Sequence, residues 1–222
     1  MFVVTGVTGH TGAVVAETLL ARKQRVRVLV RTPEKGEVWK AKGAEVAVAS
    51  LEDPRALAES LNGATGGYFL IPPNYTAVDY LKDRTQVADA LAAAVSASRL
   101  PHAVFLSSIG AHLPAGTGPI QALHDGEVRL ESVARSLTVL RASYFMETWI
   151  PVLGAARAQG LLPSFLPPKR KIPMVATLDV GRMAAECLLD QCKGSGSLNC
   201  PGMRITALRM SPRRWDTGLV AR

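Results

Sequence analysis

This chain of 222 residues has little of what announces several classes of protein. It has three cysteines, Cys187, Cys192 and Cys200, an odd number without CxxC spacing and without companion histidines. That pattern excludes a disulfide scaffold and a zinc ribbon, and it predicts reduced thiols in a cytoplasmic protein. The apolar runs are short and interrupted by charges, and none approaches the roughly 20 residues that span a bilayer, so no membrane span is expected. Met1 leads straight into a strand-like run with no basic region or small-residue cleavage site, which argues against a secretory leader. A GxSxG elbow, a P-loop and a cluster of His, Cys and carboxylates at metal-ligand spacing are all missing, so no metal is expected.

Acidic residues are also scarce, 18 against 26 lysines and arginines, for a net charge of +8. The surplus is uneven: from Lys193 onward six basic residues face one acid, Asp216, which leaves +3 for the rest of the chain. A body at that charge, without clustered Arg and Lys interleaved with aromatics, does not read as a nucleic-acid surface, and no nucleic-acid partner is expected. Hydrophobic residues make up 48% and charged residues 20%, the balance of a folded soluble domain rather than a disordered chain.

What is present is an alternation. Strand-like runs at residues 2–5, 25–30, 45–49, 67–71, 102–106 and 138–141 are separated by helical patterns at 11–22, 34–42, 53–61, within 77–98, and at 121–135. Asn62-Gly63, Pro72-Pro73 and Pro101 punctuate them. Such alternation predicts an α/β fold with a parallel sheet covered on both faces.

Within that frame the opening GVTGHTG acquires a role. Gly6 follows the first strand and Gly12 opens the first helix, the strand–turn–helix context of a dinucleotide-binding turn of the Rossmann type. Gly6 takes the tight turn, Gly9 admits a pyrophosphate and Gly12 lets helix and strand pack closely. The N–H groups around His10, Thr11 and Gly12 would point at phosphate oxygens with the helix dipole behind them, and Thr8 and Thr11 add hydroxyls. The bland alternative is a structural turn capped by Thr11. The second strand ends in Arg31 with Lys35 nearby and no acid, which favours NADP(H) over NAD(H), since a cation suits the 2′-phosphate and a carboxylate the free ribose hydroxyls.

Together GVTGHTG, LVRTPEK, SSIGA at 107–111, HDGEVRLE and TVLRASYFMETW resemble the NmrA-like family of atypical short-chain dehydrogenase/reductases, from Met1 to about Asp190. The resemblance implies a Rossmann core over 1–150 and part of a small C-terminal substrate lobe over 151–192, packed on the core. It implies cofactor contacts at Gly6, Thr8, Gly9, His10, Thr11, Gly12 and Arg31, an adenine edge near Ser50 and Leu51, and a nicotinamide side near Leu70, Ile71, Pro72, Ser107, Ser108, Tyr144 and Phe145. Ala49-Ser50 stands where relatives often carry Gly-Asp, and Phe-Met-Glu-Thr at 145–148 where Phe-Met-Glu-Asn is more usual.

The Tyr-x-x-x-Lys pair of the wider superfamily is absent, because Tyr68, Tyr75, Tyr80 and Tyr144 are followed four positions on by Pro72, Asp79, Arg84 and Thr148. Reduction of an ordinary ketone by that route is not expected. His124, three residues before Glu127, sits on a helix where the family commonly places a His or Lys, and is the candidate catalytic group; a surface or capping pair is the competing reading. Ser107 and Ser108 either face the ligand or close a turn. The reaction class that fits is NADPH-dependent reduction of a quinone or similar small electrophile, by a monomer or homodimer. The alternative is a regulator that senses NADP(H) and acts through a protein partner without turnover.

The chain ends in an atypical basic tail, 193–222, whose part from Cys200 onward lacks helical or strand periodicity and departs in composition from the body. Read two nucleotides out of phase with permitted codons, it yields NADYSAQDVAAALGHWAGR, which resembles the strand and helix that close the lobe in relatives. We hypothesise a shifted reading frame there. Sequencing the coding DNA tests this: a shifted frame over the tail is expected, and a clean single frame supported by synonymous codons elsewhere would sink it.

Overall fold

The computed structural model describes residues 1–164, 166 and 169–189, together with the backbone of 203–208. Its frame is a parallel sheet whose first strand, β1 (Phe2–Val4), lies between β2 (Val26–Val30) and a later strand, β4 (Gly66–Leu70). β3 (Glu45–Val48) extends the sheet beyond β2, while β5 (Ala103–Ser108) and β6 (Leu137–Ala142) extend it beyond β4. The backbone of β9 (Met203–Leu208) pairs in parallel with β6, giving the order β3-β2-β1-β4-β5-β6-β9. Strand order therefore reverses between β1 and β4, the position where the crevice of a doubly wound sheet opens. A separate parallel pair joins β7 (Tyr144–Phe145) to β8 (Met174–Val175).

The central strands are buried on both faces, and alternation along them divides the core in two. Val3, Phe69, Phe105 and Val139 point into one layer with Leu57, Leu91 and Leu130. That layer is covered by α3 (Pro54–Ser60), α4 (Tyr80–Ser98) and α5 (Gln121–Val133). Phe2, Val4, Tyr68, Val104 and Leu140 point into the other, with Val15, Leu19, Trp39 and Leu188. Here the cover is α1 (His10–Ala21), α2 (Glu37–Ala41) and α7 (Thr177–Leu189). This is why the strands read as apolar runs rather than as half-polar alternations. The helix α6 (Ile150–Gln159) buries none of its residues.

Local chemistry sets several boundaries. Asp53 starts α3 by accepting the backbone N–H groups of Arg55 and Ala56 at 3.0 Å, and Pro54 fills the first helical position, where its missing N–H costs nothing. Asp79 does the same for α4 through the N–H of Lys82 at 3.0 Å. Glu147 reaches from the turn after β7 to accept the N–H of Thr177 at 2.9 Å, placing a carboxylate at the positive end of α7.

Two expectations need correction. The helix expected over 34–42 is divided into a 3-10 turn, Pro33–Gly36, and the short α2. Pro33 opens the tight turn, and Gly36 lies so close to Val46 that a Cβ would sit 2.5 Å from its methyl, so the chain must hug β3 before turning helical. The tail read as lacking strand periodicity contributes β9. The remainder of the proposed frameshifted segment, with Cys192 and Cys200, lies outside the described residues. Among the described residues no helix is long and apolar enough to cross a membrane.

At the β1–α1 junction Gly6 has φ +66°, and a Cβ on Gly12 would lie 2.4 Å from the Gly6 carbonyl oxygen and 2.5 Å from that of Thr5. Both obstacles are backbone, so the helix must move to admit even a methyl group. We predict that Gly12→Ala destabilises the fold by about 2–3 kcal/mol through overpacking, measured as a lowered urea midpoint. An unchanged midpoint would show that the contact is slack.

Candidate functional site

Two cavities open where β1, β4 and β5 end. The larger, about 560 Å³, is walled by Gly6, Thr8, Gly9 and Thr11 from the glycine turn, by Leu70, Ile71 and Pro72 after β4, and by Ser107 and Ser108 at the end of β5. Tyr144 and Phe145 of β7 close its far side, with Ile120, Tyr75 and Tyr80 toward the rim. The smaller, about 470 Å³, is walled by Arg31 and Lys35 beyond β2 and by Ser50, Leu51 and Glu52 beyond β3. Gly6, Thr8, Leu70, Pro72 and Pro73 border both, so the two form one cleft lying across the end of β1.

The structure thus gathers most of the residues selected from the sequence. His10 begins α1 but is exposed and borders neither cavity. Gly12 is buried beneath the turn, where its part is close packing against β1. His124 also lies outside both linings, although its neighbour Leu123 is on the wall of the larger. Its Nδ1–H donates to the Ala111 carbonyl at 2.8 Å, tying α5 to the loop after β5.

The expected pairing of His124 with Glu127 is replaced by a different one. Glu127 is buried at 3% exposure and accepts Nε of Arg141 at 3.0 Å, the terminal nitrogen of Arg141 at 2.5 Å, and the hydroxyl of Ser107. Arg141 is held further toward its charged form by these hydrogen bonds. Sequence spacing could not reveal this cluster, because its members come from β5, α5 and β6.

Other polar groups brace the cleft. Tyr68, fully buried on β4, donates to Thr11 Oγ1 at 3.0 Å, and burial raises its phenol pKa. Arg84, 3% exposed near the start of α4, donates to the Pro72 carbonyl at 2.8 Å and to Asp83, whose carboxyl its guanidinium holds below the usual range. Its terminal nitrogen also lies 3.6 Å from Glu52, across the smaller cavity's wall. Tyr75 and Tyr80 stack at 5.8 Å between ring centres, and burial is the main cause raising the Tyr80 phenol. In the sequence both tyrosines enter only as failed matches to the Tyr-x-x-x-Lys pair, since no local pattern places them beside the chamber.

Two contrasts define the chemistry. The helix α1 has no side-chain cap, so the N–H groups of its first turn are available to a ligand at the positive end of the dipole. Among the described residues the larger cavity has no Lys, Arg, His, Asp or Glu on its lining, whereas the smaller carries Arg31, Lys35, Glu52 and Arg84. Among the described residues no group of three or more His, Cys, Asp or Glu is placed to hold a metal ion.

Comparison with known proteins bears on the fold and the family. The chain is 25% identical over 193 residues to an NAD(P)H azoreductase of Xenophilus azovorans, covering 85% of this chain and 63% of that enzyme. It therefore spans less than two thirds of that relative's length. The triphenylmethane reductase of Citrobacter sp., solved with NADP(H), shares the fold with a TM-score of 0.71 and 19% identity, over 85% of this chain and 65% of the other. An NADPH-dependent quinone oxidoreductase of Escherichia coli superposes with a TM-score of 0.72 at 20% identity, over 94% and 68%. The sequence profile of the NmrA-like family matches residues 1–204, and the chain belongs to that family.

Proposed function

We propose that the chain binds NADP(H) in preference to NAD(H) and reduces a planar, electron-poor small molecule of the quinone type. The observation that carries this reading is the division of one cleft into a charged end and an uncharged aromatic end across an uncapped helix N-terminus.

The residues along the cleft are of the kinds that a dinucleotide needs. The first-turn N–H groups of α1 would hold the pyrophosphate, and Gly9 leaves the approach open, since a Cβ there would project into the cradle with only the Gly6 carbonyl, 3.4 Å away, near it. Arg31 and Lys35 would bind a 2′-phosphate, while Ser50 and Leu51 border the adenine. Reduced nicotinamide supplies a hydride at the aromatic end when bound.

The chain's own contribution there is position and exclusion of water rather than proton transfer. Leu70, Ile71, Pro72 and Phe145 offer apolar surface, and the Tyr75–Tyr80 stack offers a π face. Among the described residues the wall carries no ionisable acid beyond tyrosine phenols, which suits an acceptor whose reduced anion is stabilised by delocalisation and takes its proton from water. Quinones meet that demand and simple ketones do not. The relatives named as azoreductase and quinone oxidoreductase support the same class. A cytoplasmic location and a monomeric or homodimeric state belong to this proposal. Sensing of NADP(H) without turnover is the second reading, favoured by the missing acid, and loss of quinone-dependent NADPH oxidation in a nucleotide-binding sample would select it.

Two substitutions separate cofactor binding from architecture. Gly9 has φ −103° and ψ 179°, a conformation open to any residue. Gly9→Ala is expected to alter stability by less than about 1 kcal/mol while weakening NADPH binding at least roughly tenfold, read by calorimetry alongside urea unfolding. Equal binding by wild type and Gly9→Ala would remove the pyrophosphate from this turn. Arg31→Glu is expected to weaken NADPH by roughly 10- to 100-fold through loss of a charge-assisted contact and to leave NADH nearly unchanged. Parallel losses for both nucleotides would mean that Arg31 does not read the 2′ position.

A further inference from the structure

The end of β5 has a definite hydrogen-bonding sense. Ser107, 3% exposed and on the wall of the larger cavity, donates its hydroxyl hydrogen to Glu127. Arg141 fixes that sense, because its guanidinium donates to both Glu127 oxygens and has no acceptor to offer in return. The neighbouring Ser108, on the same wall, donates to the Ile109 carbonyl at 3.0 Å. A serine has one hydrogen and two lone pairs, so both residues have spent their hydrogen inside the protein. Lone pairs are what remain for a ligand.

We propose that Ser107, seconded by Ser108, forms an acceptor-only wall that recognises the ligand of this chamber through a hydrogen the ligand donates. The inference rests on the reading of the larger cavity as the substrate site. The ligand class is a planar aromatic carrying a phenolic O–H or an aryl N–H. A group that can only accept, such as a quinone or ketone oxygen, finds no donor in these two hydroxyls and must turn to the tyrosine and threonine hydroxyls elsewhere on the lining. An oxygen that gains negative charge during reduction would be repelled by the lone pairs at β5, so the reacting carbonyl lies against another wall. The serines then hold a hydroxyl or amino substituent on the same ring system, or the hydroxyl of the reduced product.

The test uses a matched pair of probes, 2-naphthol and 2-methoxynaphthalene, titrated calorimetrically into the full chain with and without NADP⁺. The naphthol is expected to bind about five- to tenfold more tightly, the worth of one neutral hydrogen bond at a buried site. In the double variant Ser107→Ala/Ser108→Ala, where Glu127 keeps Arg141, the two affinities are expected to agree within about twofold. A wild-type preference for the methyl ether, equal affinities, no binding of either probe, or a ratio unchanged in the folded double variant would each overturn the proposal. The wild-type ratio needs no variant and decides the matter if the double variant does not fold. NADPH titrated in parallel keeps the two readings apart. Loss of NADPH binding with the naphthol preference intact counts against the cofactor reading, and NADPH binding with no preference counts against the wall.

Discussion

The rest of the molecule depends on the approach of the first turn of α1 to the carbonyl oxygens that end β1. Nothing larger than hydrogen fits between Gly12 and the Thr5 and Gly6 oxygens, so the helix begins where the strand stops. Because β1 sits at the reversal of strand order, this contact aims an uncapped helix terminus into the middle of the cleft. Tyr68 then reaches from β4 to Thr11, fixing the same turn from the neighbouring strand. The electrostatic character of the cleft is set by backbone, and side chains adjust it at either end.

Those two ends are built by different means. At the charged end Arg31 follows β2 directly and Lys35 lies in the turn that Pro33 opens and the close-packed Gly36 ends against β3. Arg84, buried, binds a carbonyl of the loop after β4 while lying near Glu52 of the loop after β3, so the walls of the smaller cavity share one guanidinium. At the aromatic end the ion pair stands behind the wall rather than on it. Glu127 and Arg141 tie α5 to β6, and the pair reaches the chamber through Ser107.

Much of the fold was legible because buried parallel strands are continuous apolar runs and the intervening helices carry clear boundaries such as Asp53-Pro54 and Asp79. The division near Gly36 was not, since it depends on how closely the chain passes Val46, a contact between separate elements. β9 was missed because the segment has no pattern of its own and acquires strand character by pairing with β6, over sixty residues earlier. In the site, the glycine turn and Arg31 could be read from spacing and strand ends alone. His124 and Glu127 looked like partners because they lie three apart on a helix, yet Glu127 takes its partners from β5 and β6 and His124 takes a loop carbonyl. Short-range spacing identifies local turns well and long-range charge pairs poorly.

The walls of the larger cavity divide by origin. The groups facing the middle of the cleft come from strand ends and the α1 turn, whereas Pro72, Pro73, Tyr75 and Ile120 come from connections and Tyr144 and Phe145 from a two-residue strand outside the main sheet. Connections accept substitution and insertion more freely than the core they join. Evolution can therefore remodel one half of the pocket while the other stays under the steric veto of the β1–α1 junction. A lineage built on this frame would vary the outer walls of the chamber long before it altered the turn at the end of β1.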